Sequence, residues 1–339
     1  MSTEGKSIAV LGAGSWGTAL ALVLARNGQT VLLWDKHEAL LEEIISTRRN
    51  IRYLPEVSLP SNIVVCRTLE ETLKGSTSGD PPRDILVVVP SHVFGKALQG
   101  LSNFIDDDHR ILWATKGLEP HTGNFLHVVA MRELGAERPY AVLSGPSFAK
   151  EVAINLPTAV TIASRNLKFA DELAVRFNQE TFGVYTTDDI IGVQLGGVVK
   201  NVLAVAVGIS DGVQFGANAR AALITRGLAE MMRLGETLGA RRETLMGLAG
   251  CGDVILTCTD NQSRNRRFGL ALAAGKTKSQ ALEEIGQVVE AVYNVEQLCQ
   301  IAKMNHVELP IAEQVFRVMN GLSPQEALRS LFQRSPGSE

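Results

Sequence analysis

Cysteine and excess charge of either sign are both scarce in this 339-residue sequence. Its four cysteines form no CxxC pair and do not cluster with histidine, so we expect reduced thiols rather than a disulfide framework or a zinc site. The net charge of −3 argues against a general nucleic-acid binder. An apolar signal core is missing from the opening residues, MSTEGKSIAV, which predicts a cytoplasmic protein without a secretory signal.

Apolar runs and helical patterns divide the chain into two parts. Short, largely apolar runs alternate with helical stretches in the first part, as expected for parallel strands buried on both faces. The predicted strands are residues 7–12, 30–35, 62–65, 84–90, 110–115, 140–145, 159–164 and 182–187. After about residue 189, long helical patterns follow without further strand runs. We therefore predict a doubly wound α/β domain over residues 1–189 and an all-α domain over residues 190–339.

A glycine-rich segment, GAGSWG (12–17), follows the first predicted strand and precedes a helical pattern. This context is typical of a dinucleotide-binding turn. Gly12 should allow the tight turn, Gly14 the close approach of a pyrophosphate, and Gly17 the packing of helix against strand. The N–H groups at the start of the helix would favour the phosphate charge. A purely structural glycine turn is the alternative.

The residues after the second predicted strand give conflicting indications of which cofactor binds. Asp35 lies about 20 residues beyond the glycines, where an acidic side chain would bind the ribose hydroxyls of NAD. Lys36 and His37 follow directly, and a cation there could bind the 2′-phosphate of NADP instead. Asp35 favours NAD slightly, and NADP remains open.

One lysine interrupts the most apolar stretch of the chain. Lys200 is the only charged residue in 190–210, and an ammonium group is costly to bury unless another group pairs with it or uses it. Burial would lower its pKa, so the lysine could move a proton at neutral pH. Gly196 and Gly197, one turn earlier, could leave room for a small substrate. A lysine that reaches past its neighbours to water is the alternative, whereas the central Lys200–Asn201 pair argues against a membrane span.

Polar groups follow several predicted strands, at the sheet edge where open α/β proteins bind ligands. Lys116 could polarise a carbonyl or meet a phosphate, or it could be a solvated charge. Ser147, in the segment SGPS that also contains Gly145, could offer its hydroxyl and N–H to a polyol or phosphate. It could also be a helix N-cap, a role compatible with the first.

A second group of polar residues lies in the helical part. Asp253 is flanked by apolar residues and glycine, so it is available to pair with Lys200. Ser263, Arg264 and Asn265 begin a predicted helix, and their capping hydroxyl, N–H groups and guanidinium suit a phosphate dianion. A solvated basic helix start is the alternative for this arginine and the two that follow. A nucleic-acid patch is disfavoured because no aromatic residues are interleaved.

Eight segments resemble, in order, the signature stretches of the bacterial NAD(P)-dependent glycerol-3-phosphate dehydrogenases. They are GAGSWGTALA, VVVPSHVFG, WATKGLE, SGPSFAKE, IGVQLGGVVKNVLA, GANARAALITRGLAEM, LTCTDNQSRNRRFG and IGQVVEA, and the match runs from about residue 8 to 320. The resemblance implies a 6-phosphogluconate dehydrogenase-like fold, in which a Rossmann domain binds the dinucleotide and an all-α domain carries substrate binding and catalysis. It also implies a homodimer that reduces dihydroxyacetone phosphate to sn-glycerol 3-phosphate for glycerophospholipid synthesis.

The same resemblance assigns roles to individual residues. It implies that Lys200 is the catalytic acid/base. The implied substrate-binding positions are Lys116, Gly145, Ser147, Lys200, Asp253, Ser263, Arg264 and Asn265. The implied cofactor positions are Ser15, Trp16, Lys36, Lys116, Ala149, Arg264, Val288 and Glu290, in addition to Gly12, Gly14, Gly17 and Asp35 from the motif itself. No metal site is expected. The family often has a small or non-acidic residue at the position before Lys36, whereas this chain has Asp35, which argues against a strict preference for NADP.

Two other functions remain compatible with the sequence. A related two-domain hydroxy-acid or sugar-acid dehydrogenase would also use a helical lysine, but it would act on a carboxylate substrate. A non-catalytic NAD(P)-sensing protein would bind the cofactor and turn over nothing.

Overall fold

The computed structural model describes residues 7–75 and 82–333. The chain divides into two compact units, Met1–Thr115 with Leu126–Val193, and Lys116–Phe125 with Gln194–Glu339. This division lies a few residues after the predicted boundary at 189, and it assigns Lys116–Phe125 to the second unit, which the sequence did not predict. The prediction of no secretory signal is based on residues 1–10, and residues 1–6 lie outside the described residues.

The first unit is built on one eight-stranded sheet within the described residues. The strands of the chain are β1 (Ile8–Leu11), β2 (Val31–Trp34), β3 (Arg49–Asn50), β4 (Leu54–Ser58), β5 (Ile63–Val65), β6 (Asp84–Val87), β7 (Arg110–Trp113), β8 (Tyr140–Ser144), β9 (Thr158–Ala163) and β10 (Phe182–Thr187). The sheet order is β10-β9-β8-β7-β6-β1-β2-β5, while β3 and β4 form a separate antiparallel pair. All the predicted strands are therefore confirmed, and the β3–β4 pair is an addition to them.

The helices of the first unit follow the strands in alternation. They are α1 (Ser15–Arg26), α2 (Glu38–Thr47), α3 (Leu69–Lys74), α4 (Ser91–Leu101), α5 (Leu126–Leu134), α6 (Ala149–Ala153) and α7 (Leu167–Phe177). Small and apolar residues make α1 buried from Gly17 to Ala25. In α7 the buried apolar residues recur at helical spacing, at Phe169, Ala170, Leu173 and Phe177, as expected for a helix with one face against the core. The predicted Rossmann-type α/β domain is confirmed.

One strand pair departs from the predicted parallel sheet. Strands β8 and β9 are antiparallel, with Val142 opposite Ala163 and Ser144 opposite Thr161. A parallel return requires a crossover that runs back along the strand, usually through a helix. The connecting helix α6 has five residues, or about 7.5 Å at 1.5 Å per residue, which is too short to span the preceding strand.

The second unit is helical, as predicted. Its helices are α8 (Ile190–Gly212), which begins in the first unit, then α9 (Gly216–Thr237), α10 (Arg242–Met246), α11 (Asp253–Thr259), α12 (Arg264–Ala273), α13 (Lys278–Ile285), α14 (Ala291–Met304), α15 (Pro310–Met319) and α16 (Pro324–Phe332). A π-helical turn, Leu248–Gly252, leads directly into α11. Helix α8 is long and apolar enough to cross a membrane, but 89% of its most apolar window is buried inside the protein, as in a core helix.

Candidate cofactor site and candidate active site

The glycine-rich turn lies where the strand order of the sheet reverses. Gly12 follows β1, which lies between β2 and β6, and such a switch point is where open α/β sheets bind ligands. Gly12 has a φ of +112°, and a Cβ on it would lie 2.3 Å from the Val88 carbonyl oxygen. A Cβ on Gly17 would lie 1.9 Å from the carbonyl oxygen of Gly12. One on Gly14 would have no atom within 4 Å from the described part of the chain, apart from its two chain neighbours. The tight turn, the close helix packing and the open approach predicted for these glycines are all present.

Asp35 connects the end of β2 to this turn. Its Oδ2 accepts a hydrogen bond from the Ala13 N–H at 2.8 Å, and its Oδ1 accepts one from the His37 N–H at 3.0 Å. His37 Nδ1 also lies 2.7 Å from Asp35 Oδ1. A carboxylate has about four acceptor positions, so Asp35 can make these three contacts and still accept from a ribose hydroxyl. Lys36, beside it, is exposed. The open space at Gly14 and the N–H groups of the first turn of α1 fit a dinucleotide pyrophosphate.

A second polar segment of the first unit follows β8. Gly145 has a φ of +149°, and a Cβ there would lie 2.9 Å from the Cα of Val160. The Ser147 hydroxyl donates to the Gly145 carbonyl at 3.0 Å. The N-cap of α6 is Phe148, so the predicted capping role of Ser147 is wrong. Ala149, an implied cofactor position, is the first residue of α6.

The second unit brings together two lysines and a buried aspartate, which we call the lysine–aspartate cluster. Lys116 Nζ lies 2.7 Å from Asp253 Oδ2, and Lys200 Nζ lies 3.2 Å from Asp253 Oδ1 and 3.2 Å from Thr257 Oγ1. The exposed fractions of the side chains are 1% for Asp253, 14% for Lys116 and 12% for Lys200. The predicted pairing of Asp253 with Lys200 is confirmed. The solvated alternative for Lys116 and the water-directed alternative for Lys200 are wrong.

Burial and mutual attraction change the protonation of this cluster. Burial lowers the pKa of Lys200 from 10.5 to about 8, although the Asp253 carboxylate opposes that shift; the neighbouring Lys116 charge adds to it. Burial alone would raise the pKa of Asp253, but the two ammonium groups hold it below its usual value. The cluster therefore holds an ionised carboxylate and a lysine that titrates close to neutral pH.

Local backbone geometry places Asp253 opposite Lys200. Asp253 begins α11, immediately after the π-helical turn Leu248–Gly252. A Cβ on Gly196 would lie 2.2 Å from the Ala249 carbonyl oxygen, so the absent side chain lets this turn contact α8. The expectation that Gly196 leaves room for substrate is therefore wrong, because protein backbone fills that space.

The residues predicted to bind phosphate lie at the start of α12. Ser263 is its N-cap, and its hydroxyl accepts from the Arg266 N–H at 3.1 Å. Arg264 is exposed, with its Nη1 3.5 Å from Gln287 Oε1. Arg266 is instead 7% exposed and paired with Asp211, so the solvated alternative is wrong for this arginine.

Asn265 is more constrained than the sequence suggested. Its Nδ2 donates to Asn201 Oδ1 at 2.8 Å, and its Oδ1 accepts from the Ala291 N–H at 3.1 Å. Within the described ranges the second N–H of the carboxamide has no acceptor, so it can donate to a ligand. The implied cofactor positions Val288 and Glu290 directly precede Ala291, and Glu290 is the N-cap of α14.

Two polar residues at these sites were not selected from the sequence. Thr257 contacts Lys200, and it lies one turn after Asp253 on α11, a spacing that puts both on one helix face. Asn201 follows Lys200 directly and orients Asn265. Among the described residues, no group of three or more His, Cys, Asp or Glu side chains could hold a metal ion.

Comparison with known proteins identifies the family. Two family models match, one described as the N-terminus of NAD-dependent glycerol-3-phosphate dehydrogenase over residues 7–170 and one as its C-terminus over residues 189–329. The chain is 50% identical over 336 residues to glycerol-3-phosphate dehydrogenase [NAD(P)+] of Haemophilus ducreyi, covering 98% of each chain. It is 51% identical over 335 residues to that of Aliivibrio fischeri, covering 98% of this chain and 96% of the relative.

A solved structure agrees with the sequence relatives. The crystal structure of glycerol-3-phosphate dehydrogenase from Coxiella burnetii is 50% identical, covers 97% of this chain and 99% of its own, and superposes with a TM-score of 0.93. The N-terminal model covers the glycine-rich turn and Lys116, and the C-terminal model covers Lys200 and Asp253. The chain belongs to the NAD-dependent glycerol-3-phosphate dehydrogenase family.

Proposed function

We propose that this protein reduces dihydroxyacetone phosphate to sn-glycerol 3-phosphate, with Lys200 as the proton donor. The lysine–aspartate cluster is the observation that carries the proposal, because it combines a buried, titrating ammonium with a fixed counter-charge. Bound NADH or NADPH supplies the hydride that reduces the carbonyl carbon. Negative charge then develops on the carbonyl oxygen, and preorganised cations directed at that oxygen lower the barrier.

Lys200 has the donors that this role requires. An ammonium group has three N–H donors, and those of Lys200 reach Asp253 and Thr257 among the described residues. One donor is left for the substrate oxygen. With a pKa of about 8, Lys200 is mostly protonated at neutral pH, and its neutral amine can accept the proton in the reverse reaction.

Asp253 and Lys116 prepare Lys200 for this step. The Asp253 carboxylate binds both ammonium groups, which fixes their positions and keeps Lys200 more readily charged than burial alone would allow. Lys116, which contacts the other oxygen of the Asp253 carboxylate, holds the substrate or polarises its carbonyl. Gly145 and Ser147 provide further backbone and hydroxyl groups for the substrate.

The substrate phosphate binds at the start of α12 in this proposal. Exposed Arg264, the backbone N–H groups of the first helical turn and Ser263 offer positive charge and donors there. Asn265 contributes its remaining N–H. The relatives are named as NAD(P)+ enzymes, which supports the use of either cofactor by a chain that has both Asp35 and Lys36.

The family resemblance also supports a proposal about the cellular setting. We propose a cytoplasmic homodimer that supplies sn-glycerol 3-phosphate for glycerophospholipid synthesis. Sedimentation of the purified chain tests the dimer, and the growth requirement of a strain that lacks the protein tests the supply role.

One assay separates the proposed reaction from its alternatives. Nicotinamide absorbance is followed with dihydroxyacetone phosphate, once with NADH and once with NADPH, and rapid oxidation of at least one is expected. Turnover of a 2-keto acid but not of dihydroxyacetone phosphate would identify a hydroxy-acid dehydrogenase. Cofactor binding without turnover of either would identify a nucleotide-sensing protein.

Replacement of Lys200 tests the proton donor directly. Lys200→Ala should bind NADH as the unchanged protein does and lose about 10²–10⁴-fold in kcat, the usual contribution of general acid catalysis. Lys303→Ala, at an exposed position on α14, is the matched control and should keep full kcat. A Lys200→Ala variant with kcat within a few-fold of normal would exclude Lys200 as the donor.

A further inference from the structure

Asn50 lies outside the dinucleotide motif but contacts the middle of the glycine-rich turn. It belongs to β3 of the separate β3–β4 pair and has an exposed fraction of 0%. Its Nδ2 donates at 2.8 Å to the Ala13 carbonyl oxygen and at 2.8 Å to Thr18 Oγ1. In sequence, Asn50 lies 37 positions after Ala13.

Asn50 and Asp35 together hold Ala13 from two sides. Asp35 Oδ2 accepts from the Ala13 N–H at 2.8 Å, while Asn50 donates to the Ala13 carbonyl. The Ala13 carbonyl belongs to the same peptide unit as the Gly14 N–H. Because a trans peptide is planar, its C=O and N–H point in opposite directions. Fixing the carbonyl toward Asn50 therefore turns the Gly14 N–H away from Asn50.

The remaining polar atom of Asn50 supports a role for its donors. Asn50 Oδ1 is buried and accepts no hydrogen bond from the described residues. A buried polar atom without a partner is unfavourable, so an apolar side chain would suit this site better if packing were its only purpose. The two donated hydrogen bonds are what an apolar side chain could not supply.

We propose that Asn50 is a positioning residue for the cofactor, which fixes the Ala13–Gly14 peptide so that the Gly14 N–H faces the pyrophosphate. This role depends on the proposed binding of the pyrophosphate at the glycine-rich turn. It assigns a function to the β3–β4 pair, which carries the carboxamide to the turn from outside the main sheet.

Titration of NADH fluorescence with purified protein tests this role without relying on turnover. Asn50→Ala should raise the Kd for NADH about tenfold or more, and the loss should appear in the KM for NADH rather than in kcat. Asn62→Ala is the matched control, because Asn62 Nδ2 also donates to two carbonyls, those of Ala25 at 2.7 Å and Gln29 at 2.9 Å, beside the other end of α1. It should lower Tm but leave the Kd unchanged.

A substitution in the turn distinguishes failure of this role from failure of the turn assignment. Gly14→Ala places a Cβ where no described residue other than its chain neighbours has an atom within 4 Å, so it should keep the Tm and raise the Kd strongly. If Gly14→Ala leaves the Kd unchanged, the pyrophosphate binds elsewhere and both proposals fall. If Gly14→Ala weakens binding while Asn50→Ala lowers only the Tm, Asn50 is structural and its positioning role alone is overturned.

A milder variant keeps the test decisive if Asn50→Ala does not fold. Asn50→Ser retains a hydroxyl donor, but the serine side chain is too short to reach both the Ala13 carbonyl and Thr18 Oγ1. This variant should therefore raise the Kd for NADH several-fold. An unchanged Kd in Asn50→Ser would overturn the positioning role.

Discussion

Each unit contains a buried aspartate that pairs with two cations, which are arginines in the first unit and lysines in the second. Asp84, at the start of β6, pairs with Arg110 and Arg176, and its side chain is 1% exposed. Asp253, at the start of α11, pairs with Lys116 and Lys200 and is also 1% exposed. The two carboxylates therefore have the same arrangement of charge around them. The difference lies in what the cations can do.

The arginine pair is suited to structure and the lysine pair to chemistry. A guanidinium stays protonated in proteins, and its planar donors fit a carboxylate in a fixed geometry. Arg176 also donates to Gln29 Oε1 and to the Ser7 carbonyl, so its donors are used within the fold. An ammonium shifts its pKa when buried, as Lys200 does. Burial of an ion pair therefore does not by itself indicate a catalytic site.

Removal of the Asp84 charge should have the largest effect on stability. Asp84→Asn removes the carboxylate that pairs with both Arg110 and Arg176, and Arg110 keeps a second ion pair, with Glu172. Loss of this buried pairing should lower the free energy of unfolding by about 3–5 kcal/mol. Urea denaturation followed by circular dichroism measures this loss. In the fraction that remains folded, the pH dependence of activity should be unchanged. A shift in that dependence would mean that the two carboxylates are not functionally distinct.

Removal of the Asp253 charge should act on the reaction. Asp253→Asn removes the carboxylate that raises the pKa of Lys200, so that pKa should fall below about 8. Less of Lys200 is then protonated at neutral pH, and kcat for carbonyl reduction should fall about 10–100-fold, part of the range for general acid catalysis. The alkaline limb of the pH–rate profile should move to lower pH. An unmoved limb would show that Asp253 does not control the Lys200 charge.

The sequence predicts the chemistry of the cluster better than its architecture. Lys200 is recognisable because one charge stands in a long apolar stretch, and Asp253 because glycine and apolar residues flank it. The turn that brings them together is π-helical, and neither it nor α10 gives an apolar periodicity long enough to recognise. The contact of Gly196 with Ala249 is likewise set by tertiary packing, which no local pattern encodes.

The direction of strand β9 and the burial of Arg266 also could not be predicted from the sequence. An apolar run predicts that β9 is a strand but carries no information about its direction, which follows from the short helix α6. Arg266 looks the same in sequence as its exposed neighbours Arg264 and Arg267. Its burial depends on Asp211, which is 55 positions away in the chain. The strand pattern and the glycine turn were predictable because their determinants are local.

Exposed Arg264 extends the comparison to a cation at the proposed phosphate site. Arg264→Ala should raise the KM for dihydroxyacetone phosphate about tenfold, since charge-assisted hydrogen bonds contribute roughly 1.5–3 kcal/mol. Arg267→Ala, also exposed and on the same helix, is the control and should leave the KM unchanged. Steady-state kinetics at saturating cofactor measure both. Equal KM values in the two variants would place the phosphate elsewhere.

The pH dependence of the unchanged enzyme should distinguish the lysine pair at Asp253 from the arginine pair at Asp84 without any substitution. Carbonyl reduction needs the Lys200 ammonium, so its rate should fall as the pH rises through about 8. Alcohol oxidation needs the neutral amine, so its rate should increase through the same midpoint. Profiles of kcat in both directions measure this midpoint. Asp84→Asn should retain this midpoint, because arginine side chains do not titrate in this pH range. If the midpoints of the two directions in the unchanged enzyme differ by more than about one pH unit, different groups limit the two reactions.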